Sequence, residues 1–313
     1  MKRRGTKRIA RGAWICTLGL AALLLSLAVL PALASASGLS VFQHCPKENP
    51  EVNVEGGACV YSKSTADASG WKQPQPPSEL TAGNVTIPFT KPLVLQGGFA
   101  GLQFEPLPLV GPEDGASRIV PVAEPVPGGL AGEIDSSKLH GATLAAYEAA
   151  IASHKTKVTA TVELAPTNAT IMLNSGNLLN AEGAFLTLPL KMKFSNSFLG
   201  ESCYSGSDAA PIVVELTDGT TAPPPPAEPM TGQFGRIRAI HNNEIVIKED
   251  SLVGNSFEAP AVQGCGREAA WQEEVDEAIN SKAGLPSPPG SNSTRLDGRQ
   301  QLIGVGVLRE HGL

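Results

Sequence analysis

Glycine and proline punctuate this 313-residue chain, 33 of the one and 26 of the other, and nothing else in it constrains the fold as tightly. Glycine inside a helix or strand costs backbone entropy, and proline removes a donor and breaks the helical turn. With aromatic residues at only 5%, such a chain turns often and cannot run long helices. Between the turns lies alternation. In "KVTATVEL" (157–164), Val158, Ala160, Val162 and Leu164 alternate with Thr159, Thr161 and Glu163, the pattern of a half-buried strand. Comparable runs occupy 83–89, 93–98, 117–122, 184–194, 211–219, 235–240 and 243–249, the last two as a hairpin turning at His241 and Asn242. Short strands separated by turn clusters predict a mainly β fold, an antiparallel β-sandwich or barrel-like domain. Pro88, Pro121 and Pro189 fall inside these runs, which marks edge strands or bulges. Two short helices interrupt the strands, over 136–154 and, C-terminally, over 267–284, where Gly284 and Pro286 stop the second.

The N-terminus has a different character. Lys2, Arg3, Arg4, Lys7, Arg8 and Arg11 precede an apolar run over 13–30, and the small-residue exits Ala32–Ala34 and Ala34–Ala36 follow Pro31. That order is a secretory signal, cleaved near Ala34 or Ala36. Retained, the same run is just long enough to anchor the chain in a membrane. Arg3-Arg4 lacks the apolar pair expected after a twin-arginine signal. Removing residues 1–36 takes six basic residues away and leaves 18 Lys and Arg against 30 Asp and Glu, a formal charge of −12. That balance argues against nucleic acid as a partner, and against anionic membrane surfaces unless the signal segment is kept. The expected organisation is a signal peptide over 1–36, a β-rich secreted domain over 37–284, and a loosely ordered tail over 285–313 with a possible final strand. "TTAPPPPAEP" (220–229) is either an extended linker between domains or a rigid loop within one.

Without Cys16, which lies in the leader, four cysteines remain: Cys45, Cys59, Cys203 and Cys265. In an oxidising compartment an even number reads as two disulfides, with three pairings open. Cys45 with Cys59, and Cys203 with Cys265, is the preferred set. The first pair brackets a segment able to double back, and the others sit in small-residue loops. Loop-closure entropy assigns about 3 kcal/mol to the short ring and about 4 kcal/mol to the long one. The long ring would enclose 220–229, which favours a single domain, and Tyr204 is expected to pack over its bridge. Metal ligation is the competing reading, but no C-x-x-C occurs and His44, His140, His154, His241 and His311 fall at no zinc spacing.

No catalytic constellation emerges, and no cofactor is implied. Ser205 and Ser207 flank Gly206, but "YSGSD" is not a nucleophile elbow. Glu163 and Glu215 would make a glycosidase pair only if they converged, although each sits on the polar side of a strand pattern. Carboxylates at 249–250 and 297 lack a calcium loop. The glycine-rich stretches 95–101 and 126–132 lack a phosphate-loop lysine and look like related turns. Asn84, Asn168 and Asn292 head glycosylation sequons that matter only in a eukaryotic pathway.

Taken together, "FQHCP" (42–46), "ACVYS" (58–62), "KPLVLQGGF" (91–99), "VPGGL" (126–130), "LPLKMKF" (188–194), "FLGESCYSGS" (198–207), "GCG" (264–266) and "GLPSPPGSN" (284–292) resemble a family of exported proteins of high-GC Gram-positive bacteria. The likeness covers residues 40–290. It implies export and the cysteine framework, and no reaction, substrate or catalytic residue. The function expected is that of an exported, non-enzymatic β-rich protein, a binding or structural component outside the cell or at the envelope. The alternative is a secreted hydrolase whose carboxylates converge only in three dimensions.

Overall fold

Alternation decides where each strand turns its apolar side, and two sheets form around that choice. The computed structural model describes residues 38–64, 78–101, 105–165, 170–242 and 244–313, so the signal segment and Asn168 lie outside the described residues. Residues 38–39 are helical and run into a 3-10 turn at Ser40–Phe42, and His44–Leu313 form a compact unit. Its strands are β1 (Ala58–Ser64), β2 (Glu79–Ala82), β3 (Val85–Pro88), β4 (Val94–Phe99), β5 (Leu107–Pro108), β6 (Ile119–Val120), β7 (Ala123–Pro125), β8 (Thr159–Leu164), β9 (Met172–Leu173), β10 (Leu186–Asn196), β11 (Gly200–Ser205), β12 (Ile212–Leu216), β13 (Gln233–Ile240), β14 (Ile245–Gly254), β15 (Val262–Gln263) and β16 (Ser293–Gly304). The helices are α1 (Gly129–Glu133), α2 (Gly141–Ala152), α3 (Ser175–Asn180), α4 (Gln272–Ala283) and α5 (Val305–Glu310).

One sheet runs β13-β14-β16-β1-β4-β6, with β2 and β3 added beside β16. The other runs β15-β11-β10-β8-β7, with β12, β9 and β5 attached through β10. Neither closes on itself among the described residues, so the fold is a sandwich and not a barrel. β10 shows why the sheets face each other. Leu186, Leu188, Leu190, Met192 and Phe194 are buried, while Thr187, Lys191 and Lys193 are not. Successive side chains of a strand point to opposite faces, so one face of β10 joins Leu80, Phe89, Leu95 and Leu252 of the opposing sheet in a common core. An antiparallel bridge from Thr217 to Val253 ties the end of β12 to β14 and fixes the register of one sheet against the other.

Three expectations need correction. Residues 285–313 are no loose tail, although a strand does return there: β16 pairs with β14 and with β1 in the middle of its sheet. Its polar residues are held by partners distant in sequence, as where Thr294 donates to the Glu79 carbonyl at 2.9 Å. Pro189 sits in the centre of a sheet, not at an edge. Its carbonyl accepts from the Ala165 N–H at 3.0 Å, just beyond the end of β8, so its missing donor falls in the gap between β8 and β9. The glycine-rich stretches are not related turns. Leu95–Phe99 is strand, where a Cβ at Gly97 would meet the Val110 carbonyl oxygen at 2.5 Å, whereas Gly128 (φ +80) and Gly129 (φ +55) turn the chain into α1. The two expected helices are present as α2 and α4, and α1, α3 and α5 add short ones. Residues 220–229 form a loop folded back on itself by the Thr220–Thr231 bridge, inside the compact unit.

Candidate functional site

Both preferred cysteine pairs are disulfides: Cys45 with Cys59, and Cys203 with Cys265 across 62 residues of sequence. Asp276 of α4 accepts from the Gly264 and Cys265 N–H groups at 3.0 and 2.8 Å, so the helix holds the bridge as much as the bridge holds the helix. Tyr204 does not cover the disulfide. It lies on the opposite side of β11 from Cys203, with Lys191 and Lys193 5.3 and 5.9 Å from its ring, as period-2 geometry requires of neighbouring strand residues.

The sequence-nominated catalytic candidates stay apart. Ser205 is buried and donates to the Pro260 carbonyl at 2.9 Å, and the Ser207 hydroxyl accepts from the Ala210 N–H at 3.1 Å. Glu163 pairs opposite Lys191, and Glu215 opposite Thr187. They therefore flank β10 on opposite sides, four residues apart along it, roughly 13 Å along the strand and about 9.5 Å across. Glycosidase carboxylates stand at most about 9.5 Å apart. Asn292, far from accepting a glycan, is 1% exposed and donates to the Phe257 and Ser287 carbonyls.

A buried group of ionisable side chains lies inside the sandwich, where β14 passes the end of β12. Lys248 and Asp250 share a face of β14, and Gln300 stands directly opposite Lys248 on β16. Asp218 follows β12 from the other sheet, beside Gly232, where a Cβ would come within 2.8 Å of the Asp218 Cα. Lys248, Asp218, Asp250 and Gln300 are each no more than 2% exposed. The Lys248 ammonium contacts an Asp218 carboxylate oxygen and the carbonyl of Leu178 from α3, and the Phe234 ring covers it with its centroid 3.8 Å from Nζ. Gln300 donates to Asp250 Oδ1 at 3.2 Å. Asp250 Oδ2 and Asp218 Oδ1 have no hydrogen-bond partner among the described residues.

Removal from water dominates the electrostatics here. Burial pushes the Asp250 carboxyl up to about 8, against the Gln300 hydrogen bond and the Lys248 charge, so it carries a proton at neutral pH. Burial raises Asp218 too, opposed by its hydrogen bond to Lys248 and that residue's charge. An interior lysine beside one protonated and one raised carboxyl is out of reach of an outside substrate.

Two further groupings come from distant parts of the chain. His241 and Glu244 at the β13–β14 turn meet His311 after α5, with ligand atoms all within 4.8 Å of one another, a donor set suited to a divalent transition ion. Spacing could not find it, because 70 residues separate the two histidines. On the outer face of β14, Glu249 pairs with Arg236, Arg238 and Arg299 at 3.2, 2.9 and 2.9 Å. Partial burial pushes its carboxyl up, and the Arg299 and Arg236 hydrogen bonds with the Arg238 charge overcome that and hold it below the usual range. A cavity of about 60 Å³ lies between the sheets, walled by leucines of β10 and by Leu80, Leu95 and Leu252. No helix among the described residues is long and apolar enough to cross a membrane. Comparison of the chain with known protein families, characterised proteins and solved structures returns no match.

Proposed function

We propose that this chain is exported, loses its leader near Ala34 or Ala36, and acts outside the cytosol as a binding or structural component rather than as an enzyme. One observation carries the reading: both cysteine pairs are disulfide-bonded, a state that oxidising compartments maintain and the cytosol reverses. The resemblance to exported proteins of high-GC Gram-positive bacteria agrees with it. So does the burial of the charged cluster at β14, which withdraws the most perturbed carboxyl from solution. A secreted hydrolase using Glu163 and Glu215 is disfavoured by their separation across β10.

The test is to express the full chain in a Gram-positive host and recover the protein from medium and envelope. N-terminal sequencing should start at Ser35 or Ser37, and thiol titration without reductant should find no free cysteine. An intact leader in the membrane fraction would make the chain an anchored protein instead. Free thiols at Cys203 and Cys265 in exported material would remove the basis of the proposal.

A further inference from the structure

Lys248 and Asp218 form an unusual pair, because each is supplied by a different sheet and neither has access to water. In solution an ammonium and a carboxylate stay apart as hydrated ions. Here hydration is gone, so the charge-separated form loses its advantage over an amine beside a carboxylic acid. Amine nitrogen and carboxyl carbon are held together by the packing, and such positioning replaces much of the entropic barrier to bond formation. Asp250 stands two residues from Lys248 on the same strand face, within electrostatic range of both partners, with Oδ2 lacking any hydrogen-bond partner among the described residues. The Phe234 ring over Nζ keeps water out from the remaining side.

We propose that Lys248 and Asp218 condense into a side-chain amide within the folded chain, a covalent bond that ties β14 of one sheet to the end of β12 in the other. The step balances without an outside reagent. Proton transfer within the pair gives a neutral amine and a carboxylic acid. The Lys248 nitrogen lone pair forms the N–C bond to the Asp218 carboxyl carbon, and the carboxyl C–OH bond breaks. The Asp250 carboxylic acid gives its proton to the departing hydroxyl, which leaves as water, and recovers one from the nitrogen. One water is released, nothing is oxidised or reduced, and Asp250 ends as it began. Asp250 therefore relays a proton to and from the reacting atoms, while Gln300 holds its other oxygen in place. No oxidant is involved, so the bond forms in any compartment and stands independently of the export proposal.

Intact mass of the purified mature protein tests this. The folded wild type should be one water lighter than its sequence with four oxidised cysteines. After reduction and proteolysis, the peptides carrying Asp218 and Lys248 should remain joined. Lys248→Met, which fills the same space without the nitrogen, should restore the full mass. Asp250→Asn should keep the fold by circular dichroism and lose the water at least tenfold more slowly. A folded wild type at full mass overturns the proposal. So does a water loss that persists in Lys248→Met, since ring closure at Asp218-Gly219 would then account for it. Condensation of Asp250→Asn at the wild-type rate removes Asp250 from the mechanism.

Discussion

The two inner faces of the sandwich obey different rules. β10 turns five consecutive inward positions, Leu186 to Phe194, into an unbroken apolar row. β14, facing it, places Lys248 and Asp250 inward before returning to Leu252. An apolar row is stabilised by area removed from water, at about 25 cal/mol per Å², and tolerates exchange of one large aliphatic residue for another. A buried polar row carries a desolvation cost and holds only while every polar group keeps its match. Stability is thus spread evenly over one face and concentrated in a few contacts on the other.

The contrast is sharpest at Asp218. Asp218→Ala leaves the Lys248 amine in the interior without its partner and should cost about 3–5 kcal/mol in urea unfolding. A loss below about 1 kcal/mol would erase the distinction between the faces. On the apolar side, Leu188→Ala should cost about 2–4 kcal/mol, and Leu188→Met less than about 1.5 kcal/mol, by the same measurement. A Met variant as damaging as the Ala one would mean that β10 too depends on individual contacts. Glu133 of α1 asks whether a buried carboxyl away from β14 behaves like Asp250. Burial raises it from 4.5 to about 7, against the Lys282 charge. Its folded value lies above its unfolded one, so its contribution is fully present below pH 4.5 and is lost as pH rises to about 7. Glu133→Gln should therefore flatten the stability profile over that window, by on the order of 2 kcal/mol at its upper end. The smallest effect belongs to the outer face: Glu163→Gln should stay within about 0.5 kcal/mol of wild type.

Those faces also differ in how legible they were. The alternation of residues 157–164 and 184–194 identifies β8 and β10, because an apolar row against polar neighbours has one reading in a half-buried strand. The hairpin at His241 and Asn242 was equally plain, and both residues adopt positive φ there. The cysteine pairing followed from loop context. Only the end of β16 is legible, as the possible final strand of the tail; the rest is hidden because "TRLDGRQQ" is polar by composition, and its burial depends on β1 and β14, which local sequence does not report. The lysine cluster was hidden for the same reason: β14 reads as a strand, but only the neighbours it acquires in three dimensions bury both of its sides. His311 reaches His241 through the placement of α5, which no spacing rule encodes.

The pairing of β1 with β16, from Ala58 opposite Gly304 to Ser64 opposite Gly298, also bears on how the molecule is made. A chain made from its amino end presents one half of this ladder long before the other. Until β16 has been made, β1 cannot acquire this neighbour. Completion of this sheet therefore waits on the synthesis of β16, the strand between β1 and β14.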